Sequence, residues 1–185
     1  MIDMGKPSKI SVANLSLSSL QLGVYSPRKS FDPQYIRELA DSIKMEGQHK
    51  PVIVQLKDDK YSVIDGEHRV RAVQLLDGKS IKAEVWAVTD AEALFYAMRI
   101  NEMHGKRLNP IEEGFHIKRM KEEQNLSEQE VANKFRKSQQ WVSDRLSLVY
   151  SLTPKVQKDV TTRVVTLSHA REISKLPKEK QDNVA

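Results

Sequence analysis

Two clusters in this 185-residue sequence combine residue types and spacing that can do chemistry. The first is Asp65-Gly66-Glu67-His68-Arg69-Val70-Arg71-Ala72. A β-branched run precedes it and a helical pattern follows, so it reads as a strand turning into the start of a helix. Backbone N–H groups at such a start lack partners inside the helix, and the helix dipole adds positive potential, so anions collect there. Gly66 permits close backbone approach, while Arg69 and Arg71 add charged donors. The set suits a chain of phosphates. The bland alternative is a turn glycine followed by two solvated arginines. No GxxxxGK[ST] loop occurs anywhere in the chain.

The second cluster is LSEQEVANKFRKSQQWVSDRLSL, residues 126–148. Ser127 is placed to cap a short helix, with Glu130 in the capping-box position. Val131 and Phe135 form its apolar face, and Ala132 is small where two helices must cross closely. Arg136-Lys137 makes the turn and Ser138 caps a second helix, whose inward residues are Val142, Leu146 and Val149. Gln139, Gln140, Ser143, Asp144 and Arg145 are left on the outward side. Glutamine amides suit bidentate reading of adenine, and arginine suits guanine. Lys134, Arg136 and Lys137 flank the helix where phosphates would lie. Arg136 stands where this motif often has glycine, so the spacing requires a left-handed or altered turn there. Trp141 reads as a packing residue. The same residues would also make an amphipathic helical hairpin with no role on DNA.

The elements that must position these clusters divide into two kinds. Up to residue 108 the pattern is mixed α and β. One or two short strands lie within 10–22, and a helix starts at the Asp32 cap with Pro33 behind it and stops at Gly47. A hairpin follows, its strands at 51–56 and 60–64. The helix opened by Gly66 comes next, then a strand at 81–88 and a helix over 90–104 capped by Asp90. From Asn109-Pro110-Ile111-Glu112, a capping box with proline in the first turn, the pattern is all-α. It continues through Ser127–Phe135, Ser138–Val149, a stretch from Pro154 to about Val160, Ser168–Lys175, and a last pattern from Pro177 that leads us to expect further protein beyond residue 185. The expected domains are 1–108 and 109–185.

Bulk properties narrow the function classes. The net charge is +5 and the pI about 9.3, which permits a nucleic-acid partner without requiring one. There is no cysteine, which excludes disulfides, thiolate-held zinc and thiol catalysis. The five histidines have neither HxxxH nor HxH spacing. No apolar run has the roughly 20 residues of a membrane helix, and no secretory signal is visible. The cytoplasm, on the nucleoid or a plasmid, is the expected location.

GEHRVRA (66–72) resembles the GERRxRA box of ParB/Spo0J-type partition proteins. SPRKSFD (26–32), SIKMEG (42–47) and PVIV (51–54) match that family's N-terminal pattern in order, and LNPIEEG (108–114) resembles its LNPIEEA segment. The helix-turn-helix follows at the expected distance, and VVTLSHAREISKLP (164–177) is similar to the stretch after it. The resemblance runs from about residue 20 to 177.

It implies an α+β N-terminal ParB/sulfiredoxin-like domain with a small mixed sheet, then an all-α helix-turn-helix domain. It implies CTP with Mg2+ in the first domain. Gly66, Glu67, His68, Arg69 and Arg71 would lie at the phosphates, and Gly47, Gln48 and Pro51 near the base. Asn101 and Glu102 belong to a third box that helps hold phosphate and metal and supports at most slow CTP hydrolysis. It further implies a homodimer or higher assembly closing on a centromere-like DNA site, and a ParA-type Walker ATPase as partner. This chain departs from the family pattern in four places: Lys50 where glutamine is common, His68 for an arginine, Asn101-Glu102 in inverted order, and Gly105 for an arginine. Lys106 and Arg107 are candidates to replace that arginine. Two other readings stay open. One is a transcription or nucleoid-occlusion regulator on the same scaffold. The other is an enzyme like the free-serine kinases, which share a Gly-x-His-Arg phosphate box. Sulfiredoxin chemistry needs a thiol that this chain lacks.

Overall fold

The computed structural model describes residues 8–28, 30–103 and 107–184. The chain divides into two compact units, Met1–Met103 and His104–Ala185. Gly105, which stands where the family pattern has an arginine, lies with His104 and Lys106 outside the described residues.

In the first unit a five-stranded mixed sheet has the order β1-β5-β3-β4-β2. The strands are β1 (Ser8–Ser16), β2 (Leu20–Gln21), β3 (Val52–Lys57), β4 (Lys60–Asp65) and β5 (Ser80–Ala87). β1 runs antiparallel to β5, β3 parallel to β5 and antiparallel to β4, and β2 parallel to β4. The β3–β4 hairpin closes through Asp58 and Asp59, with φ of 50° and 59°. Two successive positive φ values give a turn whose twist matches the strands, and aspartate tolerates that conformation better than most residues. Alternation along β5 buries Ile81, Ala83 and Val85. They meet Val52, Val54, Val63, Leu15, Val70 and Val73 in one core.

Among the described residues three α-helices complete this unit: α1 (Pro33–Glu46), α2 (Glu67–Leu75) and α3 (Asp90–Met103). Asp32 caps α1 by accepting from the Gln34 N–H, with Pro33 first and Gly47 (φ 79°) last. The cap of α3 is a correction to the sequence expectation. Thr89, not Asp90, accepts from the Glu92 N–H, and the Glu92 carboxylate returns to the Thr89 N–H. Asp90 is drawn away by other partners: the Lys57 ammonium and Gln55 amide of β3, and the Tyr25 hydroxyl from the segment after β2.

The elements of the second unit are all helices among the described residues: α4 (Pro110–Glu123), α5 (Glu128–Phe135), α6 (Gln139–Tyr150), α7 (Pro154–Thr161), α8 (Leu167–Ile173) and α9 (Lys178–Gln181). The two predicted capping boxes, Asn109/Glu112 and Ser127/Glu130, are both formed. Thr153 caps α7, and Thr166 caps α8, which begins one residue before the expected Ser168. Ile111, Leu148, Leu152, Val156, Val160, Val165, Ala170 and Ile173 make the core. The fully buried Gln181 accepts from the Thr153 N–H and donates to the Ser151 and Leu176 carbonyls, holding α9 against the α6–α7 corner.

Candidate functional site

Two regions gather the residues singled out by the sequence. The first is the start of α2. Gly66 sits at its N-cap with φ +100° and supplies no side-chain cap. A Cβ there would lie 2.7 Å from both a guanidinium nitrogen of Arg69 and a methyl of Val52, so glycine is required on two counts. The two arginines are not open donors. Arg69 donates to Asp65 at 2.5 Å and to the carbonyls of Lys50 and Pro51 at 3.0 and 3.1 Å. Arg71 donates to the buried Glu67 at 2.6 Å and lies 4.1 Å from the Phe31 ring centroid, its Nε buried and without a partner. His68 packs edge-on to Phe31 and Tyr35. The cradle is therefore built, but its positive charge is largely neutralised by Asp65 and Glu67 on the same turn. A phosphate must displace those carboxylates to claim both guanidinium groups.

The remaining predicted nucleotide contacts have internal partners too. Gln48 clamps β5 by accepting from the Lys82 N–H and donating to the Lys82 carbonyl, both at 2.8 Å. It is a structural stitch beside Gly47, with its amide taken up by the backbone of the interior strand β5. Asn101 is buried, accepts from Arg28 at 3.0 Å and donates to the Ala97 carbonyl. Glu102 accepts from Arg99 at 3.0 Å. Both are hard oxygen donors, as magnesium prefers, yet each faces a guanidinium. Among the described residues no group of three or more His, Asp or Glu could hold an ion. As arranged, Asn101 and Glu102 do not fit a protein-held magnesium. Arg28 was missed as a site residue. It lies in the SPRKSFD segment, and only the fold brings it to α3.

The second region is α5, its turn and α6. Arg136 is left-handed, with φ 55° and ψ 43°, as the spacing requires. Its N–H bonds the Asn133 carbonyl and the Lys137 N–H bonds the Ala132 carbonyl, a Schellman closure of α5. Strain of about 1–2 kcal/mol at a non-glycine residue is the cost of that conformation. Val131, Ala132 and Phe135 are essentially inaccessible, as is Val142 opposite them, with Leu146 nearly so. This anchors α6 so that Arg136, Lys137, Ser138, Gln139 and Gln140 are exposed in one continuous stretch, with Lys134 half-buried beside it. Ser138 caps α6 by accepting from the Trp141 N–H. Trp141 packs beside Phe135, with the Lys137 and Arg145 cations 5.5 and 5.2 Å from its ring centroid, in keeping with a packing role.

Arg145 departs from expectation. Its side chain is only 12% exposed and donates to Glu113 of α4 at 2.5 Å. It braces α6 from behind instead of pointing outward. The cause is close helix crossing: Gly114 lies so near that a Cβ would stand 2.4 Å from the Arg145 carbonyl oxygen. Asp144 is also engaged. One oxygen accepts from Gln140 at 2.8 Å and the other from Arg171 of α8 at 2.6 Å. Ser143 is half-buried. Sequence reasoning missed Glu113, Gly114 and Arg171. An isolated glycine inside a helical pattern was the one available signal, since such a residue usually has a packing reason.

Comparison with known proteins bears on both regions. The ParB N-terminal domain matches residues 3–102 and the ParB helix-turn-helix domain residues 106–185. A probable chromosome-partitioning protein ParB of Vibrio cholerae serotype O1 is 34% identical over 175 residues, covering 94% of this chain and 59% of the relative. A nucleoid occlusion protein of a Geobacillus species is 33% identical over 180 residues, covering 96% of this chain and 63% of the relative. The chain thus spans about three-fifths of the length of these relatives. In fold it is similar to C-terminally truncated ParB of Caulobacter crescentus complexed to the centromeric parS site. That match has a TM-score of 0.59 and 22% identity, covering 94% of this chain and 93% of that one. With both domain types present in order, the chain belongs to the ParB family.

Proposed function

We propose that this chain is a centromere-binding partition protein that reads a specific DNA site through α5 and α6. The observation that carries this reading is the exposed stretch Arg136–Gln140, held at the N-terminal end of α6 by a buried apolar seam. In the major groove, the Gln139 and Gln140 amides would meet base edges, and adenine is the base that fits an amide bidentately. Arg136 and Lys137, with Lys134 behind them, would lie against phosphates and supply affinity without sequence preference. Family membership supports the reading. So does the Caulobacter protein of the same fold, whose structure was determined on parS.

The first unit is the proposed nucleotide domain, with CTP as its ligand by family resemblance. The α2 start supports this: Gly66 allows close backbone approach, and Arg69 and Arg71 are poised to exchange Asp65 and Glu67 for phosphate oxygens. No step is assigned to a metal. Dimer closure on DNA and a ParA-type ATPase partner complete the proposal, with the nucleoid or a plasmid as the place of action. The Geobacillus relative supports a second use of the same scaffold, nucleoid occlusion.

Fluorescence anisotropy on a site selected from a random duplex pool, against a scrambled duplex, tests the DNA reading. Gln139→Ala with Gln140→Ala should remove the preference for the selected site and leave the scrambled affinity unchanged. Equal affinity of the unmutated chain for both duplexes would refute it. Calorimetric titration with CTP, ATP and GTP in magnesium buffer, with and without that DNA, tests the nucleotide reading; no heat with any of them would refute it.

A further inference from the structure

The recognition helix carries an internal relay that fixes one of its reading groups. Gln140 is exposed at the start of α6, and its Nε2 donates to one Asp144 oxygen at 2.8 Å. The other Asp144 oxygen accepts from Arg171 of α8 at 2.6 Å. A carboxylate only accepts, so Asp144 dictates which end of the Gln140 amide turns towards it. The nitrogen end must face Asp144, and the Oε1 and the second N–H are left to face outward. That is the donor–acceptor pair which matches the N7 and N6 edge of adenine. Asp144 needs a fixed position to impose this orientation. A lone carboxylate one turn along the same helix would be mobile. Arg171, arriving from another helix, pins it.

We infer that Arg171 is a specificity-positioning residue, which through Asp144 holds the Gln140 amide in the orientation that reads adenine. It need not touch DNA to do so. This inference rests on the DNA-reading role of α6 proposed above and names a part of its machinery outside the helix-turn-helix itself.

The test is selection from a random-core duplex pool, followed by anisotropy on single-base-pair variants of the selected site. Gln140→Ala locates the base pair that Gln140 reads. A good bidentate contact gives roughly 5- to 150-fold discrimination. Arg171→Ala and Asp144→Ala should each reduce discrimination at that same base pair by about three- to tenfold, leave discrimination elsewhere intact, and leave affinity for scrambled DNA nearly unchanged. Arg171→Lys should restore part of it. Adding Arg171→Ala to Gln140→Ala should lower discrimination no further, because both act through one contact. Thermal melts of each variant separate these effects from loss of fold. Full discrimination in Arg171→Ala, or a loss spread evenly over all base pairs and over scrambled DNA, overturns the inference. If discrimination in the unmutated chain is absent, or does not depend on Gln140, the underlying reading of α6 fails first and takes the inference with it.

Discussion

Replacing Gly114 with alanine puts a methyl group into the close crossing of α4 and α6. The new Cβ would stand 2.4 Å from the Arg145 carbonyl oxygen and 2.7 Å from a Val149 methyl. Carbon–oxygen contacts of this kind normally begin near 3.3 Å, so α6 must retreat by about 0.9 Å. The obstacle is backbone, and a side-chain rotation cannot relieve it. Overpacking of this sort costs about 1–3 kcal/mol. The helix preference of alanine over glycine returns about 1 kcal/mol. The net is a loss of roughly 0–2 kcal/mol, and a 60–100-residue domain loses roughly 4–8 °C of Tm per kcal/mol. The melt followed by far-UV circular dichroism should fall by several degrees. Displacement of α6 should also stretch the Glu113–Arg145 bond, and affinity for the selected DNA site should fall more than affinity for scrambled DNA. A Gly114→Ala variant that melts higher and binds the selected site unchanged would refute the packing described for α4 against α6.

Two further predictions concern charged groups. Arg145→Ala removes the partner of Glu113, whose side chain is 17% exposed. Leaving that carboxylate alone should cost about 1–3 kcal/mol in a thermal melt, while base preference at every position of the selected site persists. A stable variant with altered preference at one base pair would instead restore Arg145 as a base reader. Asp90 is held down to about 2 from an ordinary 3.8, first by its bond from Lys57, then by Gln55 and Tyr25, with burial opposing. A carboxylate lowered on folding stabilises fully above its unfolded value, and that contribution is lost as the pH falls through about 2. Asp90 is half exposed, so solvent screening keeps the contribution to under about 1 kcal/mol. Asp90→Asn should narrow the difference in melting temperature of the first unit between neutral pH and pH near 2; an unchanged difference would show that the Lys57 pair contributes nothing.

What the sequence disclosed was local. Asn109 with Glu112, and Ser127 with Glu130, announce helix starts because a cap needs only its own first turn. Phe135, Val142 and Leu146 gave the seam of the helix-turn-helix by spacing alone, and Arg136 was legible as a left-handed or altered turn because it stands where the motif often has glycine. Arg145 was not legible. Its outward placement follows from helical period, and its actual course depends on Glu113, 32 residues away. Arg171 meets Asp144 across 27 residues for the same kind of reason. At Thr89-Asp90 two capping residue types stand side by side, and only the neighbouring sheet decides between them. The pairs Asp65–Arg69 and Glu67–Arg71 lie at i,i+4 and were open to inspection. Counting the arginines as open phosphate donors overlooked carboxylates on the same face.

Arg136 closes α5 in a conformation that glycine would adopt without strain, and it does so while exposed at the end of the proposed reading stretch. Glycine at this corner would make a sturdier protein with one cation fewer to grip a polyanion. The chain thus concedes folding stability for charge at a single residue. Selection for robustness and selection for grip oppose one another there, and a variant that gains one forfeits part of the other.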